Sequence, residues 1–314
     1  MHAYKKYVHI VVFTLILLIS FNYDYNPLQL SPITTSISVS QSKDSLYKEI
    51  EEKAETYKEA PQNAYIDRVW KKTPGRNGKE VNIEKSYRNM KKAGVFREEL
   101  LVYNDLYPEI SLQDLPAAPI YRGHPEKEMV SFIINVSWGK EHIPAILETL
   151  NEYQVKASFF IEGKWARENA ELVKMIKENG HIIGNHAYNH PDMARINRSE
   201  ITDQIVKTNE ILKAINSENP VYFTPPSGSF NDQVIQTAAD LNMETVLWTV
   251  DTIDWKNPSI SVMINRVSNN IHPGAIILMH PTQVIADGLD ELILLIKEKG
   301  YKIGRIDSLL SEER

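Results

Sequence analysis

From residue 129 onward, apolar runs alternate with segments whose apolar positions fall three and four apart. Residues 129–136 are almost unbroken apolar, as a strand buried on both faces requires. Ile143, Ile146, Leu147 and Leu150 follow at helical spacing. The alternation repeats, predicting strands at 157–161, 181–184, 221–223, 245–250, 275–279 and 301–306. Helices between them are marked by Leu172 and Ile176, by Ile201, Ile205 and Leu212, by Val234 and Ala238, by residues 262–271, and by Leu289, Leu292 and Ile296. Asn197 with Glu200 resembles a capping box, and Gly180 is placed to end a helix. Such alternation predicts parallel strands with helical crossovers. The number of units suits a compact α/β barrel better than an open doubly wound sheet. No Gly-x-Gly-x-x-Gly or P-loop occurs, so nucleotide binding lacks its usual signature.

Upstream the periodicity is weaker. Lys5 and Lys6 precede an apolar run over 8–21, so residues 1–26 read as a signal peptide or membrane anchor. That run is shorter than the ~20 residues of a comfortable span. No small-x-small pattern follows it, which favours a retained anchor over clean cleavage. Residues 27–43, rich in Ser, Thr and Pro, read as a linker. Residues 44–124 form an accessory region of unassigned role, whose plainest reading is a spacer packed on the main unit, 125–314. Within it, 45–60 and 84–92 look helical, 66–70 and 81–83 look like strands flanking turns, and 108–125 looks extended.

Composition narrows the chemistry. The chain has 314 residues and a net charge of −6, which argues against general nucleic-acid binding. It has no cysteine, so any metal must be held by His, carboxylate or water. His186 and His190 stand four apart after the strand at 181–184; on a helical turn that spacing puts both imidazoles on one face. Other polar features also follow strands: Asn135, Ser137 and Trp138; Thr224-Pro225-Pro226-Ser227-Gly228; Asp251 and Asp254-Trp255; and His280. Each alone has a structural reading, as a turn, a cap or a packed histidine. Together they fall at the carboxyl ends of the strands, where a parallel barrel builds its site.

These segments resemble, in order, the motifs of the polysaccharide deacetylase family (carbohydrate esterase family 4) over about residues 129–308. The resemblance implies a distorted (β/α) barrel and metal-dependent hydrolysis of N-acetyl groups on amino-sugar glycans such as peptidoglycan. It implies His186 and His190 as ligands of zinc or another divalent metal, and His280, in Leu278-Met279-His280, as general acid. Asp254 and Trp255 belong to one wall of the groove. Pro225, Pro226, Ser227 and Gly228 belong to the other, with Trp138 and Leu278 as further substrate contacts. The first motif departs from the family. Ile134-Asn135-Val136-Ser137-Trp138-Gly139 resembles the Ser-Trp-Gly variant of sporulation-associated members, but Asn135 stands at the general base and Val136 at a carboxylate ligand. Thr224 stands where the family has Arg. An amide cannot take a proton from water, and loss of a general base costs ~10²–10⁴ in rate. Three readings follow: an impaired deacetylase fold that binds glycan or serves the envelope structurally; an active enzyme with another base, such as metal-bound hydroxide or Asp254; or a protein that kept only the barrel. Membrane contact is expected through the N-terminal segment alone, and the sequence points to no protein partner.

Overall fold

The computed structural model describes residues 3–20 and 44–314. Helix α1 (Ala3–Ser20) covers most of the expected targeting segment; the rest of that segment and the 27–43 linker lie outside the described residues. No helix among the described residues is long and apolar enough to cross a membrane.

The accessory region begins with α2 (Ser45–Ala54), capped where the Asp44 side chain accepts from the Tyr47 N–H. Strands β1 (Tyr65–Asp67) and β2 (Lys71–Thr73) pair antiparallel, followed by β3 (Gly78–Val81) and α3 (Ile83–Met90); β4 (Tyr103–Leu106) returns antiparallel to β3. Leu46, Ile50, Val81 and Met90 close a small core. The strand expected at 66–70 is instead a hairpin tip: Asp67 Oδ1 accepts from the N–H groups of Val69 and Trp70, at 2.7 Å each, and turns the chain.

The main unit runs β5 (Met129–Val136), α4 (Ile143–Glu152), β6 (Ser158–Ile161), α5 (Gly163–Glu168), α6 (Ala170–Glu178), β7 (Ile182–Asn185), α7 (Arg198–Asn216), β8 (Tyr222–Phe223) and α8 (Asp232–Asp240). It continues with β9 (Glu244–Thr245), β10 (Val250–Asp251), α9 (Ile260–Asn270), β11 (Ile276–Met279), α10 (Gln283–Glu298), β12 (Lys302–Gly304) and α11 (Ile306–Leu310). The strands lie in the order β10-β11-β5-β6-β7-β8-β9, all parallel, and β12 pairs with the start of β5. This is the expected distorted barrel. Two expectations need correction. The strand expected at 245–250 is two short strands at opposite ends of the sheet, and the residues between them cross the barrel's seam. The last strand stops at Gly304, after which α11 turns inward and sets Ile306, Leu309 and Leu310 in the barrel interior.

Side-chain alternation along the strands sorts the residues into two layers. On β5, Phe132, Ile134 and Val136 join the layer between sheet and helices, whereas Ile133 joins the interior. By the same alternation Asn135 faces inward, one rung above Ile133. The seam is filled from the accessory side: fully buried Ile120 donates its N–H to Thr245 O at 2.8 Å and accepts from the Leu247 N–H at 2.7 Å. Lys72 pairs with Glu244 at 2.6 Å, Asn77 N–H donates to Glu312 O at 2.7 Å, and Arg314 pairs with Glu59. The accessory region is thus bonded to the barrel at its base.

Candidate active site

The uppermost inward-facing residues of the strands surround a cleft of about 330 Å³. Its lining includes Asn135, Trp138, His186, His190, Ser227, Trp255, Leu278 and His280. Sequence reasoning named all eight as site residues. It placed Ser137 and Asp251 at the carboxyl ends of strands without giving them a role and did not name Trp248, and all three line the same cleft. Strand alternation is the signal that finds them: Asp251 lies next to outward-facing Val250, and Trp248 packs on the interior cluster.

The His280 corner is fully connected. Asp254 is 1% exposed. Its Oδ1 accepts from His280 Nδ1 at 3.1 Å and from Thr252 Oγ1 at 2.7 Å; its Oδ2 accepts from the His280 N–H at 3.1 Å and from Thr282 Oγ1 at 3.0 Å. Because a carboxylate only accepts, Nδ1 carries the proton and Nε2 is left for the cleft. Asp254 itself does not line the cleft. Both its oxygens are engaged, so it positions His280 and is not placed to activate water. The preceding Ile253 sits at φ 52°, rare for a β-branched residue, and this kink delivers Asp254 to its partners. Trp138 stacks on His280 with ring centroids 5.9 Å apart and planes 8° from parallel. Gly139, at φ 75°, permits that turn, since a Cβ there would lie 1.9 Å from Pro281 O.

The two histidines do not sit on a helical turn. Ala187 (φ 60°) and His190 (φ 58°) bend the loop, while Asn185 Oδ1 holds the Ala187 N–H and Gln204 Oε1 holds those of Tyr188 and Asn189. Their rings nevertheless meet edge to face, 5.3 Å between centroids. His186 Nδ1 donates to Thr224 O at 2.7 Å, which directs Nε2 away from the strand. Burial pushes the His186 imidazole down to about 3, with His190 adding repulsion, and burial also lowers His190. Both are neutral at physiological pH, as metal ligands must be.

A third ligand is lacking. Among the described residues no group of three or more His, Asp or Glu is placed to hold a metal. Val136, at the position of the family's carboxylate ligand, packs in the outer layer and not in the cleft. Asn135, at the position of the family's base, is 3% exposed and its Oδ1 is buried with no partner, while Ser137 Oγ lies against the Glu162 carboxyl. Burial raises the Asp251 carboxyl above its usual range. On the remaining wall only Ser227 reaches the cleft. Pro225, Pro226 and Gly228 stand behind it, and Gly228 (φ 66°) lets Trp248 close in, since a Cβ there would lie 3.0 Å from the indole. The exposed rings of Trp138 (46%) and Trp255 (53%) flank the opening.

The fold and cleft are those of a parallel barrel with two adjacent histidines and a carboxylate-held histidine at its carboxyl end. The family model for polysaccharide deacetylase matches residues 122–246. The Bacillus subtilis protein YlxY is 49% identical over 99% of both chains. The structure of a family-4 carbohydrate esterase (CE4) pseudoenzyme from Bacillus anthracis superposes with a TM-score of 0.83 at 50% identity, covering 86% of this chain and 96% of that one. A mutant of that pseudoenzyme, described as having restored enzymatic activity, gives a TM-score of 0.83 at 49% identity, covering 86% and 100%. The peptidoglycan-N-acetylglucosamine deacetylase of Bacillus cereus is 39% identical over 55% of this chain and 66% of its own. The chain belongs to the polysaccharide deacetylase family, carbohydrate esterase family 4.

Proposed function

We propose that the protein works outside the cytoplasm, binds an N-acetylated glycan such as peptidoglycan in the cleft, and has lost most or all of its deacetylase activity. The observation that carries this is Asn135. It holds the base position with an orphaned amide oxygen while the acid, His280, keeps its complete support. Trp138 and Trp255 offer rings on which sugar faces stack, a contact that needs no catalysis. The relatives support the glycan: one is a peptidoglycan deacetylase, and another is a pseudoenzyme whose mutant regained activity.

His186 and His190 fit a divalent metal such as zinc as two neutral donors, but the set present is incomplete. When bound, such an ion polarises the acetyl carbonyl in the family's chemistry. This chain's own residues bind the sugar on the tryptophans and turn His280 Nε2 to the cleft, where it donates to a leaving amine once the ring has taken up a second proton, with Nδ1–H held by Asp254. Nothing placed like Asp takes the proton from water. The test is acetate release from N-acetylglucosamine oligomers by wild type and Asn135→Asp with saturating zinc. A near-zero wild-type rate that Asn135→Asp raises supports the reading. A robust wild-type rate unchanged by the substitution refutes it and moves the base to Asp251, the remaining carboxylate in the cleft. Export rests on the basic-apolar start, Lys5 and Lys6 before 8–21, and on the glycan, with α1 as signal or anchor. Fractionation that finds the native protein wholly in the cytosol sinks it.

A further inference from the structure

A second cavity system lies at the opposite end of the barrel from the cleft. Ile182, Tyr222 and Glu244 are the first residues of β7, β8 and β9, so they mark the amino ends of the strands. A groove of about 930 Å³ between the accessory region and the barrel is lined by Lys72, Leu112, Tyr222, Glu244 and Asp307, among others. It shares Val221, Tyr222 and Asp307 with a pocket of about 230 Å³. Asn216, the last residue of α7, lines that pocket. Its carboxamide nitrogen and oxygen are both buried, and neither has a partner. A buried amide unpaired at both ends is costly, and it is satisfied by a ligand that offers one donor and one acceptor. Beside it, burial and the nearby Asp307 carboxylate push the Tyr222 phenol up to about 12, so it remains an O–H donor. Val221 is 55% exposed and adds apolar surface.

The charges select the ligand. Lys72 is already paired with Glu244 at 2.6 Å, Lys177 with Glu218, and Asp307 with Arg305 at 2.6 Å, so each of these cations is committed to a carboxylate and the lining does not favour an anion. An extended peptide adding a strand needs a free sheet edge, and the edge of β9 is taken by Ile120. A neutral polyol with an amide substituent meets all three conditions. We propose that this pocket is a second, non-catalytic site for an N-acetylated amino sugar. The Asn216 carboxamide pairs with the acetamido N–H and C=O. The Tyr222 ring and Val221 carry an apolar sugar face, and Asp307 and Glu244 accept from hydroxyls. The inference rests on the reading that the protein meets N-acetylated glycans, and it adds a hold on the strand that leaves the cleft free.

The test is an amide-resolved NMR titration of the full chain with N-acetylglucosamine tetramer, with cellotetraose as the neutral control lacking acetamido groups. Two sets of shifts are expected, one around Trp138 and Trp255 and one around Asn216 and Tyr222, and cellotetraose should move the second set far less. Shifts at the tryptophans alone overturn the second site and leave the cleft reading standing. Shifts at Asn216 and Tyr222 alone keep the second site and overturn the cleft reading. An equal response to cellotetraose, or a response only to an alanyl peptide, overturns the acetamido assignment. Asn216→Leu, close in volume, should weaken the second set about tenfold or more while Tm holds or rises, because two unpaired polar atoms are removed. Unchanged affinity in that variant also overturns the proposal.

Discussion

On the β10–β11 side of the cleft, Asp254 accepts four hydrogen bonds, and through them the backbone and the ring of His280 are fixed together. On the β5 side, Asn135 offers a buried oxygen to nothing and Val136 faces the helices. The two sides belong to one cleft of about 330 Å³, so the loss is not a collapse. Under the proposed function, the half of the site built on His280 persists, while the other half carries an amide at the position of the family's base. A site degraded in this way keeps its shape, and shape is what a binding function needs.

The comparison can be broken from either side. The largest effect is expected from Val136→Asp. If the residue faces the outer layer, a carboxylate there is buried without a partner, and the protein should lose at least ~3 kcal/mol, read as a lowered denaturant midpoint. Recovery of that loss by zinc would place residue 136 in the cleft after all. Next, Asp254→Ala strips the acceptor from Thr282 and His280 together and leaves Thr252 Oγ1 with Leu278 O alone; we expect a loss of roughly 2–4 kcal/mol and a loosened His280. A variant as stable as wild type would mean the four bonds carry little. In the opposite direction, Asn135→Asp restores a carboxylate of nearly the same shape and should raise acetate release ~10-fold or more, about 1.4 kcal/mol of barrier.

A test independent of the cleft lies at two histidines, which carry the same rule of partnered against unpartnered groups. His124 Nδ1 accepts from the Glu126 N–H at 3.1 Å, and His181 Nδ1 from the Ala157 N–H at 3.0 Å, so each must stay neutral to keep its bond. Burial lowers both to about 4 from 6.5. Between those values the unfolded chain binds the protons and the folded chain does not. Stability from these groups is therefore complete above pH 6.5 and lost as pH falls towards 4. Melting temperatures across that window should fall with acid, and His181→Gln should flatten the slope.

Much of the barrel was legible because its strands are apolar runs and its helices carry one apolar face. The seam was not. Residues 245–250 have the composition of a single strand, and only tertiary closure shows that Thr245 pairs with one end of the sheet and Val250 with the other. Helix α5 was missed because six residues are too few for a periodic signal. At the site, motif spacing found His186, His190 and His280. It could not say that Asp254 points at His280, that Pro225 and Pro226 stand behind Ser227, or that Asp251 reaches the cleft, because those facts depend on which way each side chain faces.

The seam also orders events in time. Ile120 bridges to Val246, and Arg122 to Ala275, while Glu59 and Asn77 hold residues 312–314. Segments 237 and 255 residues apart thus clasp each other across the base. A polypeptide emerging from one end cannot shut that clasp until residues 312–314 exist, so closure is a late, long-range step. A fold latched in this way keeps its barrel open at the base until residues 312–314 have met the accessory region.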